Sequence, residues 1–164
     1  MKHGSHQQET KKVVRNARLH MVLLLGAILL CLTPAVAFSA DFITIWKTDN
    51  PGTSGANEIT IPTTGGGYNY TIDWGDGNTD AGVTGAITHS YAVPGTYTVK
   101  ISGAFPRIYF VNGGDKEKIL SVEQWGDGIW TSMLYAFFGC INLEINAIDA
   151  PDLSSVTDMH SMFR

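Results

Sequence analysis

The chain has 164 residues, of which 44% are hydrophobic and 16% are charged, and its formal net charge is −4. These values are ordinary for a soluble globular protein and exclude a chain that binds nucleic acid through a large positive charge. Eighteen glycines, together with many Thr and Tyr residues, favour short strands joined by tight turns.

The first element in chain order is a predicted secretory signal peptide over residues 1–37. Five Lys and Arg residues precede a run of twelve apolar residues, Met21–Leu32, and Ala35 and Ala37 flank Val36 as in an A-x-A cleavage site. The apolar run is too short to span a bilayer comfortably. We therefore expect cleavage after Ala37 and a secreted or cell-surface protein, with an uncleaved membrane anchor as the alternative.

Removal of this leader changes the charge balance and the cysteine count. The leader takes five of the eleven basic residues and one of the fifteen acidic ones, so six basic residues remain against fourteen acidic ones and the net charge becomes −8. Nucleic acid is therefore not an expected partner. The only cysteine left is Cys140, which excludes an intrachain disulfide. We predict that Cys140 is a buried, inert thiol, because no His or Asp is placed to activate it.

Residues 38–112 are predicted to form an antiparallel β-sandwich. Short runs of alternating polar and apolar residues are separated by turn residues such as Gly65–Gly67. The predicted strands are Phe42–Lys47, Asn57–Pro62, Tyr68–Trp74, Ala86–Tyr91, Thr96–Ser102 and Arg107–Val111. Trp74 is the last inward residue of the third run, so we expect it in the core.

The turn after Trp74 is the one candidate metal site. Asp76, Asn78 and Asp80 have the D-x-N-x-D spacing that opens a calcium-binding EF-hand loop. However, Ala81 occupies the sixth position, where that loop needs Gly, and Ile87 occupies the twelfth, where it needs Glu. The bidentate ligand is therefore missing, and we interpret the loop as a solvated acidic hairpin, with a weak calcium site as the alternative. No cofactor is expected.

No catalytic residue is predicted. His89 has no second His within metal-ligand spacing, so we interpret it as a hydrogen-bonded structural residue before Tyr91. The glycine-rich stretches Gly52–Gly55 and Gly65–Gly67 match neither a phosphate-binding loop nor a nucleophile elbow. The chain is therefore predicted not to be an enzyme.

Residues 113–164 have a different pattern. A further strand is predicted over Ile119–Trp125, and apolar residues at helical spacing follow within Thr131–Cys140. One constant offset aligns Thr131 with Thr157, Met133 with Met159, Ala136 with Met162 and Phe137 with Phe163. Its length falls within the range of about 20–29 residues that is typical of leucine-rich solenoids, in which a strand is paired with a short helix. One repeat and the start of another cannot bury a solenoid core, so the segment is expected to be the truncated start of an array.

Five motifs resemble two known families. Ile72–Gly77, His89–Tyr91 and Pro94–Val99 follow in the order and at the distances of a PKD domain. Ala136–Leu143 and Val156–Phe163 are similar to the repeats of BspA-like leucine-rich surface proteins of bacteria. The resemblances imply an immunoglobulin-like sandwich of an extracellular protein, followed by leucine-rich repeats. The Trp-Gly-Asp-Gly sequence at Trp125–Gly128 lacks the other PKD motifs, so it is not a second copy.

The resemblances imply a non-catalytic, secreted or cell-surface binding or adhesion protein. The sandwich would be a spacer or recognition module, and the repeats would contact an extracellular protein or a carbohydrate. Tyr109, Trp125 and Trp130 are candidates for stacking on a sugar, although each can equally belong to the core. The alternative is an accessory region of an exported hydrolase whose catalytic domain lies outside this chain. Further copies of the repeat in the gene would favour adhesion.

Overall fold

The computed structural model describes residues 39–164, which form a mainly β fold. The predicted signal peptide lies outside the described residues. In residues 39–164 no helix is long and apolar enough to cross a membrane. The strands are β1 (Phe42–Lys47), β2 (Glu58–Ile61), β3 (Asn69–Asp73), β4 (Thr79–Val83), β5 (Ile87–Ser90), β6 (Thr96–Ala104), β7 (Ile119–Gln124) and β8 (Glu144–Ile145).

The strands form two sheets that share one core. The larger sheet has the order β4-β3-β6-β1-β7-β8, and β2 pairs with β5 in the smaller one. All pairs are antiparallel except β7 with β8, which are parallel. Residues of both sheets belong to a single cluster of buried apolar side chains. The sandwich-like, mainly β prediction is confirmed at this level.

Strand β1 shows how the alternation in sequence becomes a buried face. Phe42, Thr44 and Trp46 are all buried, and the residues between them are half-buried. In the register with β6, Phe42 lies opposite Ile101 and Thr44 opposite Val99. Because side chains of a strand alternate between faces, these pairs stack on the core side of the sheet.

Trp74 is fully buried, as predicted, and follows directly after β3. The next residue, Gly75, has a φ of 78°, and a Cβ there would collide with the carbonyl oxygen of Thr98. Only glycine allows both this conformation and this close approach. The turn therefore brings the chain back against β6 immediately after the tryptophan anchor.

Three strand assignments from the sequence are wrong in the part of the chain that the structure describes. Arg107–Val111 is not a strand, and β4 and β8 are strands that the sequence did not predict. Phe110 and Ile108 are buried as their apolar pattern suggests, but the N–H of Phe110 donates to the carbonyl of Ala136 rather than to a neighbouring strand of the sheet. The apolar pattern indicated the burial correctly but not the hydrogen-bond partner.

The segment after residue 113 returns to the larger sheet. β7 pairs antiparallel with β1 and brings Trp125 and Trp130 against Phe42, with ring centroids 5.9 and 5.1 Å from its ring. Trp125 is 5% exposed and Trp130 is 2% exposed. Of the two interpretations that the sequence left open for these tryptophans, the core position is therefore confirmed, and stacking on a sugar is wrong.

Residues 131–140 form a series of turns, not the helix that their spacing suggested. Tyr135 has a φ of 53°, which a continuous right-handed helix cannot contain. The N–H groups of Met133 and Phe137 donate to a later part of the chain instead of to carbonyls of the preceding turn. A succession of turns can bring residues at helical spacing to one side, which explains the helical appearance of the sequence.

Candidate functional site

Three segments lie side by side after β6, and we name them arc 1 (residues 106–113), arc 2 (residues 131–139) and arc 3 (residues 157–164). Between arcs 2 and 3, backbone N–H groups of alternate residues of arc 2 donate to carbonyls of arc 3, with N···O distances of 2.8–3.0 Å. These bonds are Met133 to Asp158, Tyr135 to His160, Phe137 to Met162 and Gly139 to Arg164. Donor and acceptor are separated by the same number of positions in every bond, so the two arcs run parallel.

The local backbone of arc 2 is repeated in arc 3. Tyr135 and Ser161 both have a φ of 53°. In each arc the next residue closes a turn: Ala136 donates to Met133 at 3.1 Å, and Met162 donates to Met159 at 3.2 Å. These equivalent positions are related by the same offset that aligns the two segments in sequence. The alignment and the backbone geometry therefore agree on one period.

Aromatic side chains line one side of the arcs. The ring centroids of Tyr109 and Tyr135 are 6.2 Å apart, and those of Tyr135 and His160 are 5.7 Å apart, both in edge-to-face contact. Phe138 lies 5.9 Å from Tyr135, and the guanidinium of Arg164 is 5.6 Å from the centre of the Phe138 ring. We name these five residues the aromatic strip. It takes one or two residues from each arc.

The strip is accessible and chemically mixed. Tyr109, Tyr135 and Phe138 are half-buried, whereas His160 and Arg164 are exposed. Tyrosine has an apolar ring and a polar hydroxyl, and it is enriched at interfaces for that reason. Tyr and Arg are also among the residues that carry most of the binding energy at protein interfaces. Of the three aromatics proposed from the sequence, only Tyr109 belongs to this surface.

Polar side chains border arc 2 beside the strip. Lys116 Nζ donates to Asn112 Oδ1 at 3.0 Å. Both side chains lie against Gly139, which has a φ of 85°, and a Cβ at that position would collide with them. Glycine at this position therefore lets a lysine and an asparagine of the preceding segment pack closely beside Phe138.

The predicted calcium loop has other partners for its carboxylates. Asp76 accepts hydrogen bonds from the backbone N–H and the side-chain amide of Asn78, both at 3.0 Å, and its Oδ2 is 2.8 Å from His89 Nε2. Asp80 Oδ2 accepts from the indole N–H of Trp74 at 2.8 Å. The three candidate ligands thus belong to two separate hydrogen-bond groups.

These contacts also set the ionisation of Asp76. Desolvation opposes the charged form, but hydrogen bonds from His89 and Asn78 outweigh it and lower the pKa of Asp76 from 3.8 to about 2. Among residues 39–164, no group of three or more His, Cys, Asp or Glu side chains is placed to hold a metal ion. Calcium binding at this loop stays a weak prediction.

His89 occupies a packed position, and Cys140 is half-buried rather than fully buried as predicted. The His89 ring stacks on Trp74 at 4.8 Å with an interplanar angle of 12°, and it meets the edge of Tyr91 at 4.6 Å. Its contacts with Trp74 and Asp76 account for its position as a structural residue. Burial raises the pKa of the Cys140 thiol to about 12, although the nearby Lys116 acts in the opposite direction. A thiol that stays protonated at neutral pH is a poor nucleophile.

A buried polar cluster was missed by the sequence analysis. Lys118 is fully buried, and its Nζ lies 2.7 Å from both Ser54 Oγ and the carbonyl of Gly55, and 2.9 Å from the carbonyl of Glu58. Asp115, 1% exposed, accepts from Ser54 Oγ at 2.6 Å and from the N–H of Thr53 at 2.9 Å. These partners are far apart in sequence, so no local pattern could reveal the cluster.

The contact between Ser54 and Lys118 has the composition of a catalytic dyad but not its geometry. A lysine that activates serine must accept the hydroxyl proton, and therefore needs a free lone pair. The three short contacts of Lys118 Nζ instead match the three hydrogens of an ammonium group. The cluster fastens residues 52–58 to the segment that precedes β7.

The two Trp-Gly-Asp-Gly turns differ in structure as well as in surrounding sequence. In the second turn, the carboxylate of Asp149 accepts from the N–H groups of Trp125 and Gly126 at 2.9–3.1 Å. Asp127 accepts from Ser39 Oγ at 2.7 Å. The first turn is closed by Asp76 within itself, whereas the second is closed by an aspartate that follows β8.

No protein-family model, curated protein or solved structure matches this chain.

Proposed function

We propose that this chain is an exported, non-catalytic binding or adhesion protein. In this proposal a PKD-like sandwich supports the first arcs of a leucine-rich solenoid of the BspA-like kind, and the arcs supply the contact surface. The aromatic strip of Tyr109, Tyr135, Phe138, His160 and Arg164 is the observation that carries the proposal.

The parallel ladder between arcs supports the solenoid part of the proposal. In a solenoid each repeat contacts only its neighbours, and the side chains at equivalent positions form rows across the surface. Tyr109 and Tyr135 are related by the same offset as arcs 2 and 3 and are in contact, and Tyr135 also contacts His160 in the next arc. A row of this kind grows with the number of repeats, so it suits an extended partner.

The chemistry of the strip favours a protein partner. Half-buried tyrosine rings lose little conformational entropy on binding, and an arginine beside them adds charge and directed donors. After removal of the predicted leader the net charge is −8. Against this negative charge, Arg164 and Lys116 supply a small positively charged patch. A surface segment of an extracellular protein that carries acidic side chains and packs against tyrosine rings would complement both the positive charges and the aromatic side chains.

The test is a binding screen with the exported protein immobilised, against a panel of extracellular proteins and, as a second arm, a panel of soluble glycans. Tyr135→Ala should weaken binding of any protein hit by roughly 30-fold, which corresponds to the loss of about 2 kcal/mol at an interface hot spot. The control is Val93→Ala, a change at an exposed residue of the turn before β6, which should leave binding unchanged.

Thermal melts of both variants establish that they fold. If only glycans bind, and their binding is lost in Tyr135→Ala, the aromatic strip remains the binding site but the partner is a carbohydrate instead of a protein. Hits that tolerate Tyr135→Ala and Tyr109→Ala equally would move the binding site away from the strip and contradict the proposal.

A further inference from the structure

Three of the four residues of the second Trp-Gly-Asp-Gly turn line a small cavity beside the start of β1 and the end of β6. The cavity has a volume of about 20 Å³. Its lining includes four aromatic residues and two residues of the turn that follow Trp125, namely Phe42, Phe105, Trp125, Trp130, Asp127 and Gly128. A cavity of about 10–15 Å³ or more can hold one water molecule where polar groups are present to bind it. This cavity therefore has the size of a site for a single water.

Trp130, which lines the cavity, carries a hydrogen-bond donor without a protein acceptor. Its indole Nε1 is buried and has no hydrogen-bond partner among residues 39–164. The indoles of Trp46 and Trp74, by contrast, donate to Thr44 Oγ1 and Asp80 Oδ2, each at 2.8 Å. Buried polar groups are nearly always hydrogen-bonded to protein or to ordered water, because an unpaired one costs free energy. An acceptor of the size of the cavity would remove this cost at Trp130.

The aromatic neighbours of Trp130 are the alternative acceptors for its N–H. The Trp130 ring stands almost perpendicular to three other rings, with centroid distances of 5.1 Å to Phe42, 6.0 Å to Phe105 and 5.9 Å to Trp125. In an edge-to-face pair an N–H can point at the face of the other ring, but this interaction is weaker than a hydrogen bond to oxygen. A water oxygen is therefore the better acceptor, and the cavity beside the same rings has room for it.

The turn also offers an acceptor for the hydrogens of a water. Asp127 is the only ionisable residue on the lining of the cavity, and its Oδ1 accepts from Ser39 Oγ at 2.7 Å. Hydrogen bonds from Ser39 and from the backbone of Ala40 lower the pKa of Asp127, so its carboxylate is charged at neutral pH. The two oxygens of a carboxylate can accept about four hydrogen bonds in total. Asp127 therefore keeps capacity for a water beside its contacts with the start of the described chain.

We propose that the second Trp-Gly-Asp-Gly turn binds one structural water, which accepts from the indole N–H of Trp130 and donates to the carboxylate of Asp127. The backbone N–H of Trp130 donates to the carbonyl of Asp152 at 3.2 Å, and Trp130 directly precedes arc 2. The water therefore ties the residue that leads into arc 2 to the turn that follows β7. This role of the turn is independent of the partner that the aromatic strip binds.

The test is a rotating-frame Overhauser measurement between water and the indole Hε1 protons of the ¹⁵N-labelled protein. A cross-peak of opposite sign to the diagonal identifies a nearby water, because direct proton exchange gives a peak of the same sign. We expect such a peak at Trp130 and none at Trp46, whose indole donates to Thr44. Asp127→Ala should abolish the peak at Trp130. The matched control is Asp49→Ala, which removes a partly exposed carboxylate beyond the other end of β1 and should leave the peak unchanged.

Unchanged indole signals of Trp46 and Trp74 establish that both variants fold. Absence of the water peak at Trp130 in the unsubstituted protein would overturn the proposal, and an upfield shift of the same Hε1 relative to Trp46 would identify an aromatic ring as the acceptor. This outcome needs no variant, so it decides the matter even where Asp127→Ala does not fold. A water peak that survives Asp127→Ala would show that the water is bound by other groups, and would also overturn the assignment to this turn.

Discussion

Replacing Lys118 by methionine is the most direct test of how residues 52–58 are fastened to the segment before β7. The side chain is fully buried and donates to the carbonyls of Gly55 and Glu58 and to Ser54 Oγ. Methionine has a similar length and fills the same space without donating. The change therefore removes the hydrogen bonds and the charge while it keeps most of the packing.

The expected cost follows from the groups left behind. A buried acceptor that loses its donor costs about 1–3 kcal/mol. The carbonyl of Gly55 belongs to an exposed residue, so water can replace its donor. Asp115 keeps hydrogen bonds from Ser54 and from the N–H of Thr60. Ser54 Oγ and the carbonyl of Glu58 lose their donor, and at about 1–3 kcal/mol for each we expect Lys118→Met to lower the free energy of unfolding by about 2–4 kcal/mol.

Equilibrium unfolding in urea measures this change as a lower midpoint at unchanged slope. Lys116→Met is the matched control, because this lysine has a partly exposed side chain that donates one hydrogen bond, to Asn112, and lies 3.9 Å from Glu117 Oε1. It should change the free energy of unfolding by less than about 1 kcal/mol. If Lys118→Met were as mild as Lys116→Met, the cluster would not fasten the loop, and our account of residues 52–58 would have to be abandoned.

Three further experiments, two with substitutions and one with a thiol reagent, test the packing of the sandwich and of the segment after arc 2. Trp74→Ala should cost about 3–5 kcal/mol in a denaturant melt, the range for a buried large aromatic, and a cost under about 1 kcal/mol would contradict its burial. Since the pKa of Asp76 falls from 3.8 to about 2 on folding, its stabilising effect is present above pH 3.8 and is lost as the pH falls toward 2. Asp76→Asn should remove this part of the pH dependence, and an unchanged acid transition would contradict the contact with His89. Because burial raises its pKa to about 12, Cys140 should react with iodoacetamide at mildly alkaline pH much more slowly than after unfolding, and equal rates would exclude that burial.

The parts of the fold that could be predicted are those in which the sequence signal is local. β1 and β3 were recognised because polar and apolar residues alternate within each strand, and the same alternation placed Trp74 in the core. β4 was missed because its sequence, Thr79–Val83, is polar and rich in small residues, and its residues are mostly exposed. It is a strand because it pairs with β3. The sequence of β4 contains no signal for this pairing.

The arcs show a different limit. The spacing of Met133, Ala136 and Phe137 correctly indicated buried residues, but it could not distinguish a helix from a series of turns. The distinction is made by hydrogen bonds to a segment one full repeat further along the chain. The repeat period could be predicted from the sequence. The aromatic strip could not, because its residues come together only when the arcs lie side by side.

The arcs gain a rigid base from the way in which they join the sheet. β7 pairs with β1 along its length, and Phe42 of β1 contacts both Trp125 and Trp130 on the segment that leads to arc 2. Trp46 likewise contacts Phe110 of arc 1. Binding is weakened by the entropy lost when mobile side chains and loops become ordered. Because side chains of arcs 1 and 2 belong to the same core as those of the sheet, Tyr109 and Tyr135 are already held in their relative positions. A partner that binds at the proposed site would therefore incur less of this loss.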